Sequence, residues 1–182
     1  MARLSIHVEP HGAAGIARHY VGDLVYGAND GIITTFAVVA GVAGGALSHT
    51  AVLIVGVSNI AADGLSMAVG NFLAIRSHES ARAADNLPEE EAHPLRHAIA
   101  TFAAFVAAGS VPLAPYVLPA FRAQEFTWSL MATLASLFAI GAARATVTVD
   151  RWWTAGFEMF LLGAVVAATA YAAGAVIAAI VS

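Results

Sequence analysis

The 182-residue sequence contains no cysteine and no lysine; all eight of its basic side chains are arginines. Without cysteine there is no disulfide framework, no thiolate metal site and no cysteine nucleophile. Charge of either sign is scarce. Asp, Glu and Arg together make up 11% of the chain, against roughly 25% charged residues in a typical soluble protein. The formal net charge is −4, and no basic patch or tail exists to track phosphates, so nucleic acid is not expected as a partner. No nucleophile stands at catalytic spacing from a base, and there is no phosphate-binding loop; neither an enzyme nor a resident cofactor is expected.

What the sequence has in abundance is apolar surface. Hydrophobic residues account for 59% of it, and the mean hydropathy is +0.77. So apolar a chain cannot cover a globular surface with polar groups, which predicts an all-α integral membrane protein. Seven histidines in such a chain point to metal or proton chemistry.

A span needs about 20 mostly apolar residues. Ala98 to Phe121, Phe126 to Ala143 and Met159 to Ser182 contain no charge, and the middle run, a little short by itself, would borrow Glu125 or Arg144 at a headgroup edge. Pro112, Pro115 and Pro119 should bend or finish the first of these helices. From Gly31 to Ala62 there is no Asp, Glu or Arg, a run too long for one helix, and Gly41, Gly44, Gly45, Ser48 and His49 supply a turn. The helix after that turn is too short unless it continues through Asp63, Met67 and Asn71 to Arg76. The helix before it needs Asp30 within its span. Length alone therefore places two carboxylates inside the membrane.

The reading is five spans, at 23–45, 50–76, 97–119, 124–145 and 154–179, preceded by a cytosolic segment 1–19 and carrying a short acidic cytosolic loop at 77–94. Seven arginines fall on one side and only Arg122 on the other, so the N-terminus is expected in the cytosol and the C-terminus outside it. Met1 to His19 has no apolar core of signal-peptide length, and no cleaved leader is expected.

Ionisable groups in hydrocarbon cost about 2.5–3.5 kcal/mol each at a helix centre and usually line a pathway. Asp23, Tyr26, Asp30 and Thr34 form one stripe on the first helix. Asn59, Asp63, Met67 and Asn71 recur every four residues on the second. Facing each other, these stripes would make a route of carboxylates, amides and one thioether. Oxygen ligands suit hard and borderline divalent ions, while a methionine sulfur favours transition metals over magnesium. Empty carboxylates out of water would take up protons. The competing readings are structural: methionine as apolar filler, Asn59 and Asn71 as interhelical hydrogen bonds, and Asp23 as a helix N-terminal charge.

The cytosolic side carries His78, Glu79, Asp85, Glu89, Glu90, Glu91, His93 and His97, with His7, Glu9, His11 and His19 ahead of the first helix. Glu79 joins the candidate metal ligands. His7 with His11, and His93 with His97, are four apart, the spacing that brings two imidazoles together on a helix, although Pro94 interrupts the second pair. Glu158 beside Met159 repeats the carboxylate-plus-thioether theme, or is an edge charge next to a core residue. Gly27/Gly31 and Gly41/Gly45 are small-xxx-small spacings that predict pairing of the first helix in a homodimer.

The segments YGANDGIITTFAVVAGVAGG and ADGLSMAVGNFLAIRSHES resemble the first two membrane helices of the vacuolar iron transporter family, and EMFLLGAVVAATAYAAG is similar to its fifth. The resemblance runs from Arg18 onward. It implies a five-helix homodimer that exports cytosolic Fe(II), and often Mn(II), in exchange for protons. Asp30 and Met67 match the family's intramembrane path residues, and Asn59 and Asn71 fall where relatives often carry glutamate. Many relatives insert a long metal-collecting helical domain between helices two and three; here that region is only Ser77 to Pro94.

The expectation is thus an exporter of Fe(II) or Mn(II), with Asp30, Asp63 and Met67 on the path, Asn59, Asn71 and Glu79 as further ligands, and the bilayer, metal ions and protons as partners. Its membrane would be the cytoplasmic one in a bacterium and the vacuolar one in a plant or fungus. The rivals are a passive metal channel and a non-transporting membrane protein that binds metal or a partner through its histidine-rich face.

Overall fold

The computed structural model describes residues 4–146 and 148–181. Arg3 and Ser182, which enter the charge count and the last apolar run, lie outside them. The described residues form five long helices, α1 (Gly12–Gly44), α2 (His49–Ala84), α3 (Pro94–Val117), α4 (Glu125–Arg144) and α5 (Trp152–Val181), with a 3-10 turn at Pro119–Phe121. Each of the five is long and apolar enough to cross a bilayer. The chain is an all-α integral membrane protein.

The turn in the uncharged stretch falls where its glycines and Ser48 place it. α1 stops at Gly44, and the Ser48 hydroxyl caps α2 by accepting from the Ala51 N–H at 3.3 Å. Two other helix ends differ from expectation. α1 begins at Gly12 rather than 23, and α2 runs to Ala84 rather than 76, so the loop expected at 77–94 shrinks to 85–93. The edge of a bilayer does not stop a helix; only backbone chemistry does. Residues 76–84 contain no Gly or Pro, and Glu79 and Arg82 pair one turn apart at 4.0 Å. The helix ends only where Asn86 turns to φ +57°, two residues before Pro88. At 1.5 Å per residue, the 36 residues of α2 span about 54 Å, well beyond a hydrocarbon core of about 30 Å.

Pro112 and Pro115 lie within α3, which passes both and ends at Val117. Pro119 does stop it, by holding Leu118 extended at ψ 117°.

α1 is the central helix and touches all four others. Phe36, Val39 and Ala40 pack with Val52, Ile60, Leu113, Tyr116 and Ala167, and Ile32 packs with Leu137 and Met159. The glycine faces of α1 are occupied within the chain. A Cβ on Gly31 would stand 3.0 Å from the Phe105 backbone, and one on Gly44 would stand 3.1 Å from Tyr171 Cα. Gly27 is likewise buried against Thr101 and Ala104, and Gly41 and Gly45 lie against Ala170 and Gly174. At Gly27 and Gly31 the close approach is made by α3, and at Gly44 by α5.

Candidate functional site

α1 and α2 run antiparallel, and one contact fixes their register. Asn71 Nδ2 donates both of its hydrogens, to Asp23 Oδ1 at 2.7 Å and to Thr101 Oγ1 at 2.8 Å. Asp30 lies seven residues further along α1 from that tie, and Asp63 eight residues back along α2. At 1.5 Å per residue both sit about 10.5–12 Å deeper. The two carboxylates therefore share one depth, each half-buried, and Asp63 acts electrostatically on Asp30. Met67 stands one turn above Asp63 and Asn59 one turn below it, both half-buried. The Asn59 amide nitrogen is buried without a hydrogen-bond partner among the described residues.

The helices around this pair carry nothing to neutralise it. α1 beyond Arg18, α2 before Arg76, α3 after Arg96, α4 before Arg144 and the whole of α5 contain no arginine. At about 2.5–3.5 kcal/mol per buried charge, two bare carboxylates at one depth are costly, and their mutual repulsion adds to that. A divalent cation, or two protons, would remove the charge.

Other members of the stripes do different work. Thr34 donates its hydroxyl to its own helix, at the Asp30 carbonyl oxygen (2.8 Å). Tyr26 is exposed and lines a separate groove with Asn29, Arg144 and Glu158. Met159 is core, and Glu158 is an exposed edge charge 3.3 Å from Arg144. Asp23 is no helix-start charge, because α1 begins eleven residues earlier; it holds Asn71 on one oxygen and His97 Nδ1 on the other, at 2.6 Å. Glu79 does not face the Asp30–Asp63 pair. Its Oε1 accepts from the backbone N–H of Glu90 (3.2 Å) and Glu91 (3.0 Å) and so shapes the α2–α3 loop.

A family model matches the sequence that builds this geometry. The VIT family model covers residues 21–93 and 79–175, which is most of the chain. The chain belongs to the VIT family. It is similar to vacuolar iron transporter 1 of Arabidopsis thaliana, at 25% identity over 92% of the chain and 89% of the plant protein. Vacuolar iron transporter 2 of Oryza sativa subsp. japonica is 26% identical over 92% of the chain and 90% of its own length. A vacuolar iron transporter of Toxoplasma gondii reaches 37% identity over 47% of the chain and 30% of that protein. The Arabidopsis alignment has 225 positions, whereas 92% of 182 residues is about 167, so nearly 60 positions have no counterpart here. The two pieces of the family match overlap at 79–93, over the end of α2 and its connection to α3.

Sequence spacing also misgrouped the histidines. His11 is the exposed residue capping α1, and His93 caps α3 while His97 lies inside it, so neither i, i+4 pair forms on a helix. The contact of His97 with Asp23 joins residues 74 apart in sequence, which no local pattern encodes.

Proposed function

We propose that this chain is a transporter, not an enzyme, that carries Fe(II) or Mn(II) out of the cytosol in exchange for protons. The observation that carries this reading is the Asp30–Asp63 pair, two carboxylates at one depth between helices that hold no arginine there. Such a pair is neutralised either by one divalent ion or by two protons, which is the stoichiometric basis of an exchanger. Asp30 is the central carboxylate that alternates between metal and protons, Asp63 completes the charge, and Met67 adds the soft ligand that magnesium and calcium do not reward. Asn59 offers an amide below them, and Asn71 holds Asp23 at the cytosolic mouth. A site at mid-depth suits alternating access rather than an open pore.

The working unit in this reading is a homodimer with the N-termini in the cytosol, the orientation that the arginine distribution favours. Since α3 packs closely on Gly27 and Gly31 of α1, the dimer uses α2. Ser58, Ala62, Ser66 and Gly70 recur every four residues there and are exposed, a small-residue face of the kind that packs helices in lipid. It adjoins Asn59, Asp63 and Met67, so the path lies beside the dimer seam.

The test is flux into proteoliposomes containing a metal-quenched dye, with Fe(II), Mn(II), Mg(II) and Ca(II) offered in turn, with and without a pH gradient. Fe(II) or Mn(II) flux that the gradient drives is the expected result. Flux indifferent to the gradient means a passive channel, and no flux for any ion overturns transport.

A further inference from the structure

We propose that the cytosolic face carries a second metal site, separate from the intramembrane pair, in which His19, Glu91 and His97, with His7 beside them, bind one divalent transition-metal ion. These groups come from three segments: residues 4–10, the start of α1, and the α2–α3 loop leading into α3. The Ile6 N–H donates to Glu89 O at 2.8 Å and the Glu89 N–H to Leu4 O at 2.8 Å, which clamps the N-terminal segment onto the loop.

Glu91 is the hub. Its Oε1 is fixed by the His93 backbone N–H at 2.7 Å. Its Oε2 faces three imidazole nitrogens: His97 Nε2 at 3.1 Å, His19 Nε2 at 3.3 Å and His7 Nδ1 at 3.5 Å. Ligand atoms about 2.0–2.1 Å from a tetrahedral zinc-like ion lie about 3.3–3.4 Å from one another, so the nearest two already stand near coordination spacing. Ligand atoms of His19, Glu91 and His97 all lie within 4.8 Å of one another.

The second observation concerns what His97 can do. Its Nδ1 is 2.6 Å from Asp23 Oδ2, so in the neutral ring Nδ1 carries the proton and Nε2 presents its lone pair to the hub. Nε2 is buried, and its 3.1 Å contact with Glu91 Oε2 does not line up as a hydrogen bond. A carboxylate behind an imidazole whose far nitrogen is open is the arrangement that orients metal-ligating histidines. Burial pushes the Glu91 carboxyl up, but the His93 N–H and the nearby His97 and His7 outweigh this and hold it below its usual range.

The neighbouring group of His7, Glu9 and His93 is the weaker candidate. Arg96 takes both oxygens of Glu9, at 3.0 and 2.9 Å, and a guanidinium already neutralises the one carboxylate there. Nitrogen-rich ligation at the Glu91 site suits ions such as Co(II), Ni(II) and Zn(II) and admits Fe(II).

The test is Co(II) titration of the tag-free full chain in detergent, carrying Asp30→Ala and Asp63→Ala so that the intramembrane pair is silent. Visible Co(II) bands and calorimetry report binding. One ion per chain is expected, with affinity falling at least tenfold in His97→Ala, His19→Ala and Glu91→Gln, and less than threefold in His78→Ala. Asp23→Asn, which only orients His97, should weaken binding 10–100-fold. Glu91→Gln keeps an oxygen for the His93 N–H, so it reports on ligation if a histidine variant fails to fold. Absence of saturable Co(II) binding in the silent background, or binding indifferent to Glu91→Gln and His97→Ala, overturns the site. Absence of flux for any ion in the wild-type chain, with Co(II) binding intact in the silent background, would count against the exporter and leave this site standing.

Discussion

Replacing Gly31 by alanine tests whether α1 and α3 pack as closely as the structure requires. A Cβ there would fall inside contact distance of the Phe105 carbonyl oxygen and stand 3.0 Å from Phe105 C and Cα. All three obstacles are backbone, so no side chain can swing aside and the helices must separate by roughly 1 Å to restore ordinary contact. Overpacking of this kind costs about 1–3 kcal/mol. Alanine's better helix propensity returns about 0.8–1 kcal/mol, leaving a net loss of up to about 2 kcal/mol. The same exchange at Gly22, on the same helix, meets no atom within 4 Å among the described residues, so only the propensity gain remains. Thermal unfolding in detergent should therefore shift in opposite directions, by about 2–4 °C per kcal/mol for a chain of this size. Gly31→Ala should also slow metal flux, because the displaced backbone carries Asp30. Equal shifts of the same sign at Gly22 and Gly31 would refute the packing argument.

Met67→Leu keeps volume and apolarity, so folding should hold while preference for Fe(II) over Mg(II) drops about tenfold, read by paired flux measurements. Docking of residues 4–10 on the α2–α3 loop should depend on ionised Glu91. A carboxyl held below its usual range contributes stability that is fully present above the unfolded value near 4.3 and is lost as pH falls through the lower folded value. Hydrogen exchange at the Ile6 and Glu89 amides should therefore stay protected through pH 5 and rise only under stronger acid. Ala62→Leu and Gly70→Leu, on the exposed small-residue face of α2, should convert a dimer to monomer in light scattering without lowering the thermal midpoint of the monomer.

How much of this was legible in the sequence depends on which physics each feature obeys. Charges inside apolar runs are visible residue by residue, so length arithmetic alone brought Asp30 and Asp63 into the membrane. The turn at 45–48 was equally plain, because glycine and a Ser48 cap are local signals. The ends of α1 and α2 were not, since a headgroup boundary changes the solvent but breaks no backbone hydrogen bond. Gly27 and Gly31 announced a close helix approach, yet spacing cannot say that the approaching backbone is Phe105's rather than another chain's. The histidines show the same limit: their pairing along the sequence is local, while the Asp23–His97 and Ile6–Glu89 contacts exist only once three segments meet.

The central claim is that the Asp30–Asp63 pair carries the metal. The direct test compares initial Fe(II) flux into proteoliposomes for wild type, Asp30→Asn, Asp63→Asn and Glu158→Gln at matched protein density and dimer content. Glu158 is the control, an exposed carboxylate at the edge of α5. A fall of at least tenfold in both aspartate variants, with Glu158→Gln unchanged, is the expected result. Wild-type flux in Asp30→Asn and Asp63→Asn would contradict the account and send the search for the path elsewhere in the bundle.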